Sequence, residues 1–128
     1  MKIIFALLLV LLASTESFAQ HGGKAEPKRI EFAKGRSSII LSESLSNGSE
    51  MEYVFAARKG QHVTVTNPSS GLFDFRIFSD ENNMETEFDS SRKYTFEIPA
   101  TGDYQFFVRK KMVRSPRTAR FRITFEIR

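Results

Sequence analysis

The sequence lacks cysteine and tryptophan altogether and contains only two histidines among its 128 residues. Without cysteine there is no disulfide, no thiolate metal site, no cysteine nucleophile and no lipid-anchored cysteine. Neither histidine lies in an HExxH or HxH motif, and no GxSxG motif or phosphate-binding glycine loop is present. The sequence therefore predicts a protein that is not an enzyme and that uses neither a metal nor a cofactor.

Long apolar runs are also scarce. The longest comprises the eleven residues 3–13, which follow Lys2 and precede Ser17-Phe18-Ala19. This run is shorter than the ~20 residues that span a bilayer. Small residues occupy the two positions that signal peptidase inspects, so the pattern predicts a signal peptide at 1–19, with a buried N-terminal helix as the alternative. The mature protein is then periplasmic or secreted and does not insert into a membrane.

After the predicted signal peptide, residues 20–29 are polar and predict a flexible leader, followed by a single domain at 30–128. Apolar residues in that domain recur with a period of two, and no segment sustains a period of 3.6. Asn47-Gly48 is typical of a hairpin turn between 37–45 and 50–57. The pattern predicts an all-β fold, a small antiparallel β-sandwich that is jelly-roll-like and has about eight strands. Eleven phenylalanines beyond the signal peptide supply core volume.

Charge is unevenly distributed. The whole chain carries a net charge of +4, yet residues 109–128 hold eight basic residues against Glu126 alone. The rest of the mature chain has ten basic and thirteen acidic residues. Residues 110–117 lie between two predicted strands and predict an exposed loop with four cations. Such a loop is suited to binding; a solvated basic edge that discourages aggregation is an equal alternative.

Two other ligand classes find little support. Asp80-Glu81-Asn82-Asn83 offers oxygen ligands for calcium, but its spacing does not match an EF-hand, so solvated loop charge is the better interpretation. Phe107 and Arg109 are expected to share the outward face of one strand, where they could stack nucleic-acid bases. The export signal and the acidic remainder argue against nucleic acid, and contact with a protein partner is the preferred interpretation.

Three segments, in order, resemble the periplasmic inhibitors of goose-type lysozyme: IEFAKGRSS at 30–38, YVFAARKGQHV at 53–63 and IPATGDY at 98–104. Similar scaffold motifs occur in the broader group of pre-peptidase C-terminal-like modules. The resemblance covers nearly the whole mature domain and implies a small β-sandwich. In that family, arginines of the basic loop before the last strand enter the lysozyme cleft. The family pattern has two arginines four apart, whereas Arg114 and Arg117 are three apart here.

The resemblance implies a goose-type lysozyme as the protein partner, with Arg114 and Arg117 pairing with cleft carboxylates while lysines steer the encounter. The predicted partner-binding residues are Lys110, Lys111, Arg114, Ser115, Arg117 and Arg120. The alternative is a non-inhibitory module that binds cell-envelope polysaccharide or another protein through diffuse positive charge. The oligomeric state, monomer or homodimer, is left open.

Overall fold

The computed structural model describes residues 26–128, which form nine strands. These are β1 (Lys28–Arg29), β2 (Ser38–Ser46), β3 (Glu50–Ala57), β4 (His62–Thr66), β5 (Phe73–Ser79), β6 (Met84–Glu85), β7 (Lys93–Glu97), β8 (Gly102–Lys110) and β9 (Thr118–Ile127). No helix long and apolar enough to cross a membrane occurs in this part of the chain. The predicted signal peptide at 1–19 lies outside the described residues.

The strands form two sheets. Sheet A has the order β1-β3-β8-β5-β6 and sheet B has the order β2-β9-β4-β7. Every pairing is antiparallel except that of β1 with β3. From β2 onward, each connection except β5–β6 passes from one sheet to the other, which is the winding of a jelly roll. The prediction of an all-β, jelly-roll-like sandwich is confirmed; β1 and β6 are the shortest strands, at two residues each.

The core lies between the two sheets and is filled by the inward-facing set of each alternating strand. Phe125 of β9 is fully buried, and its ring lies 4.9 Å from that of Phe55 on β3 and 5.1 Å from that of Phe106 on β8. The fully or almost fully buried phenylalanines are Phe55, Phe73, Phe75, Phe106, Phe121 and Phe125. Phenylalanine therefore provides the aromatic volume between the sheets, as the composition predicts.

The predicted hairpin at Asn47-Gly48 is wrong, although the turn itself is present with Gly48 at φ +80°. β2 pairs with β9 in sheet B, while β3 pairs with β8 in sheet A. Gly48 N–H already donates to the Lys110 carbonyl at 2.9 Å, so the chain joins sheet A within the turn. A tight turn fixes the reversal of the chain, but the burial of both apolar faces against each other decides which strands pair.

The predicted leader at 20–29 is too long at its C-terminal end. Lys28 and Arg29 form β1, and Ile30 N–H donates to the Val54 carbonyl at 2.8 Å. Lys28 Nζ also lies 2.6 Å from Glu43 Oε2, across the gap between the two sheets. The sandwich therefore begins at Lys28, because the edge of β3 offers unpaired backbone groups that the polar segment can satisfy. Residues 20–25 lie outside the described residues.

Candidate functional site

The basic loop, residues 111–117, lies at one end of the sandwich. It connects β8 of sheet A to β9 of sheet B. The connections β2–β3 and β4–β5 cross between the sheets at the same end and flank it on either side, because β9 lies between β2 and β4 while β8 lies between β3 and β5. The loop therefore occupies the middle of this end of the sandwich, between these two connections.

Asn47, in the β2–β3 turn, holds one side of the basic loop. Its backbone N–H donates to the Arg117 carbonyl at 2.8 Å, and its side-chain Nδ2 donates to the Val113 carbonyl at 2.7 Å. Its Oδ1 accepts from Lys110 Nζ at 2.8 Å. One residue thus bonds to the residue that precedes the loop, to the middle of the loop and to its end, which lowers the conformational entropy that the loop would lose on binding.

Lys110 is not an exposed loop residue, and that prediction is wrong. It is the last residue of β8 and is fully buried, with Nζ donating to Asn47 Oδ1 and, at 2.9 Å, to the Lys111 carbonyl. Tyr104, Phe106 and Val108 share its inward parity on the strand. A buried ammonium is tolerated only when its hydrogen bonds are satisfied, so Lys110 supports the loop from beneath.

The opposite side of the loop is held by the β4–β5 connection. Lys111 N–H donates to the Leu72 carbonyl at 2.8 Å, and Lys111 itself is half-buried. The basic loop is therefore a short segment that is hydrogen-bonded to both neighbouring connections.

Arg114, Ser115 and Arg117 are exposed on the basic loop, as predicted. Within residues 26–128, neither arginine lies within ion-pairing distance of a carboxylate. The Ser115–Pro116 peptide bond is cis. Arg120 is exposed as well, but it lies on the outer face of β9, where its Nη1 is 3.1 Å from Ser42 Oγ. In the described part of the chain, the guanidinium groups of Arg114 and Arg117 thus have no internal counter-charge, and that of Arg120 lies on the outer face of sheet B.

Arg109, two residues before the loop, already pairs with a carboxylate, and this distinguishes it from the arginines of the loop. Arg109 makes a two-point contact with Asp74, with Nε–Oδ1 at 3.1 Å and Nη2–Oδ2 at 2.8 Å. The hydrogen bonds to Asp74 raise the pKa of Arg109 above its ordinary value. Its guanidinium also lies 3.7 Å from the centre of the Phe88 ring. Arg109 therefore stabilises the outer face of sheet A and, unlike Arg114 and Arg117, has its own carboxylate partner within residues 26–128.

Phe107 faces outward on β8, as its parity predicts, but it does not offer a free stacking surface. The guanidinium of Arg76 lies 5.0 Å from the Phe107 ring and 5.2 Å from the Phe88 ring. Arg76 also pairs with Glu85 at 2.6 Å. Arg76 therefore lies over the Phe107 and Phe88 rings on the outer face of sheet A and is itself paired with Glu85. The aromatic residues near the basic loop are thus covered by an arginine of the same chain.

Two residues of this end were missed by sequence reasoning. Asn47 reads as an ordinary turn residue, because asparagine before glycine is typical of any tight turn. Met112 lies in the basic segment but has no charge, so a search for cations passes over it. The inward parity of Lys110 with Val108 is the one sequence signal that could have indicated a polar cluster beneath the loop.

Replacing Asn47 with alanine is expected to loosen the basic loop. The change removes the bond to the Val113 carbonyl and leaves the buried Lys110 ammonium with one acceptor fewer, which costs about 1–3 kcal/mol of unfolding free energy. Urea unfolding measures the stability, and hydrogen exchange of the amides in 111–117 measures the loop. Asn82→Ala, which removes a side-chain bond to Ser79 at the other end of the sandwich, is the matched control and leaves the exchange of loop amides unchanged. Native-like exchange of these amides in Asn47→Ala would contradict this role.

The fold and this end of the molecule define a small β-sandwich that presents an anchored cationic loop. No family model matches the chain. It is 32% identical to the inhibitor of g-type lysozyme of Escherichia coli strain K12, over 95% of this chain and 92% of that protein. The chain therefore belongs to the family of periplasmic inhibitors of g-type lysozyme. The predictions of this family and of a protein that is not an enzyme are confirmed, and so is that of a periplasmic location, because family members with solved structures are periplasmic inhibitors.

Solved structures agree with this membership. The crystal structure of Salmonella Typhimurium PliG, a periplasmic inhibitor of g-type lysozyme, is 25% identical and matches 82% of this chain and 100% of that one at a TM-score of 0.65. The pre-peptidase C-terminal domain of Bacillus anthracis collagenase is 14% identical and matches 83% of this chain and 98% of that domain at a TM-score of 0.54. The second match shows a shared fold alone, in keeping with the predicted likeness to the broader group.

Proposed function

We propose that this protein inhibits goose-type lysozyme by placing the basic loop in the enzyme's cleft and thereby protects peptidoglycan from hydrolysis. The observation that carries the proposal is a pair of exposed arginines, without a carboxylate partner in residues 26–128, on a loop that is hydrogen-bonded to both neighbouring connections. Family membership supports this choice of partner, and the geometry of the basic loop supports this mode of binding.

The chemistry of the partner suits such a loop. Glycoside hydrolases cleave with a pair of carboxyl groups that must reach the glycosidic bond. A guanidinium donates two parallel hydrogen bonds to a carboxylate, and these charge-assisted bonds are stronger than neutral ones. Arg114 and Arg117 would each take one acidic group of the cleft. An occupied cleft then excludes the glycan strand.

The remaining predicted site residues take different parts in this proposal. Lys111 and Arg120 add positive charge beside the loop and speed the encounter with an acidic cleft, because steering depends on the summed field. Ser115 lies between the two arginines and offers a hydroxyl to the partner. Lys110 acts only by supporting the loop, since its ammonium is buried. A complex of standard size buries about 800 Å² on each partner, which a domain of this size can supply.

A cell-wall lysis assay tests the function. The mature protein is added to goose-type, chicken-type and invertebrate-type lysozymes, and lysis is followed by turbidity. We expect inhibition of the goose-type enzyme at micromolar concentration or below. Failure to slow the goose-type enzyme overturns the proposal. Inhibition that disappears as salt rises to 0.15 M, together with equal binding to unrelated polyanions, would instead support diffuse electrostatic binding.

A further inference from the structure

Two large apolar side chains are exposed in residues 26–128, and they lie in different settings. Ile40 is 53% exposed on the outer face of sheet B, and Met112 is 77% exposed on the basic loop. Most other large apolar side chains of this part of the chain are buried or packed against the core. Met112 is thus an exposed apolar side chain within a cationic loop, and attraction of the loop to an acidic partner would give it no role.

The backbone on both sides of Met112 is held in place. Lys111 N–H is bonded to the Leu72 carbonyl, and the Val113 carbonyl accepts from Asn47 Nδ2. Lys111 and Val113 are both half-buried, so the alternation of the chain directs Met112 away from the sandwich. The position of Met112 is therefore set by its neighbours, although the side chain itself has little contact with the protein.

The side chain of Met112 lies close to the β2–β3 turn. A Cβ built on Gly48 would lie 3.4 Å from Met112 Sδ, so a side chain at position 48 would contact the thioether. Glycine at this position therefore leaves room for Met112, whose side chain is 77% exposed. Met112 and Arg114 thus belong to the same exposed stretch of the basic loop.

We propose that Met112 is the apolar contact residue of the lysozyme-binding surface. This inference rests on the proposed function. Met112 inserts into an apolar depression of the enzyme that lies next to the carboxylates bound by Arg114 and Arg117. Protein interfaces combine an apolar centre with a polar rim and are enriched in methionine and arginine. A flexible, polarisable thioether fills an irregular depression better than a branched side chain does.

Substitutions at Met112 test the inference through the dissociation constant for goose-type lysozyme. Met112→Gln keeps the length of the side chain but makes it polar, and we expect it to weaken binding by about tenfold or more, chiefly through faster dissociation. Met112→Leu keeps the apolar character and is expected to stay within about threefold of the native affinity. Ile40→Gln is the matched control, since it replaces the other exposed apolar side chain, and it leaves affinity unchanged.

Oxidation provides a second readout that needs no substitution. Hydrogen peroxide transfers one oxygen atom to the methionine thioether, giving the sulfoxide, and is itself reduced to water. Met51 is buried and Met84 is half-buried, so Met112 should react fastest in the free protein. In the complex, its conversion to the sulfoxide, measured by mass spectrometry, should slow by about tenfold or more, while Met84 reacts as before.

The outcomes separate this inference from the function on which it rests. If the native protein binds and Arg114→Ala weakens it, but Met112→Gln binds as the native protein does, the inference about Met112 is wrong and the proposed function stands. Unslowed oxidation of Met112 in a saturated complex overturns it equally. If the native protein does not bind goose-type lysozyme, both proposals fail together.

Discussion

Replacing Arg114 and Arg117 together with alanine should weaken inhibition of goose-type lysozyme by about 100-fold or more. Arginines central to an interface commonly carry a large share of its binding energy, and each of these two lacks an internal carboxylate partner in the described part of the chain. In the proposed complex, removing them leaves acidic groups of the cleft without a counter-charge. The inhibition constant from a lysis assay, with the affinity from a direct binding measurement, checks the effect.

The same pair of substitutions should leave folding unchanged. Both side chains are exposed and make no ion pair within residues 26–128, and such surface changes usually alter unfolding free energy by less than about 0.5 kcal/mol. Urea unfolding of the double variant should therefore match that of the native protein. A loss of inhibition accompanied by a large loss of stability would point to a structural role instead.

Arg36 and Arg58 provide the matched control for these arginines. Both are exposed and line a shallow cleft of about 420 Å³ at the opposite end of the sandwich. Replacing them with alanine removes the same net charge, but we expect no more than about threefold weaker inhibition, because long-range steering is screened at physiological salt. Equal losses in the two double variants would show that net charge, and not the basic loop, drives the interaction.

Replacing Phe125 with alanine is expected to have the largest effect on stability, a loss of about 3–5 kcal/mol in unfolding free energy. The ring is fully buried on β9 and contacts Phe55 and Phe106 of the facing sheet. Its removal opens a cavity between the two sheets that neither can close without repacking. Since small domains have only about 5–15 kcal/mol of net stability, one substitution removes a large fraction of it. Urea or thermal unfolding measures the change.

Phe107→Ala is the corresponding control, on β8 of the facing sheet. Phe107 is half-buried beneath Arg76 on the outer face of sheet A, so its truncation opens no cavity between the sheets. We expect a clearly smaller loss than for Phe125. Similar losses in both variants would mean that the outer face of sheet A contributes to stability as much as the core does.

The candidate site was only partly accessible to sequence reasoning. The exposed positions of Arg114 and Arg117 follow from their place in a polar segment between two alternating strands. The burial of Lys110 does not, because a count of charges assigns each cation to the surface. Only its hydrogen bonds to Asn47 and Lys111 make an inward lysine acceptable, and Asn47 is 63 residues away in the chain.

The fold, too, was only partly predictable from the sequence. Alternation along β8 and β9 predicts which side chains face inward, since a strand repeats every two residues whatever it pairs with. It does not say that β2 and β3 lie in different sheets, because the Asn47-Gly48 turn is compatible with either arrangement. The pairing of β2 with β9 and of β3 with β8 is decided by the burial of two apolar faces against each other.

By itself the sequence determined a cysteine-free β domain with phenylalanine packing and a cationic segment before its last strand. These are local properties, set by the composition and by the two-residue period of a strand. Only the tertiary structure decided that this segment crosses the middle of one end, that Asn47 and Lys110 hold it there and that Met112 stands exposed beside its arginines. Those features depend on hydrogen bonds between segments distant in the chain, which no local pattern records.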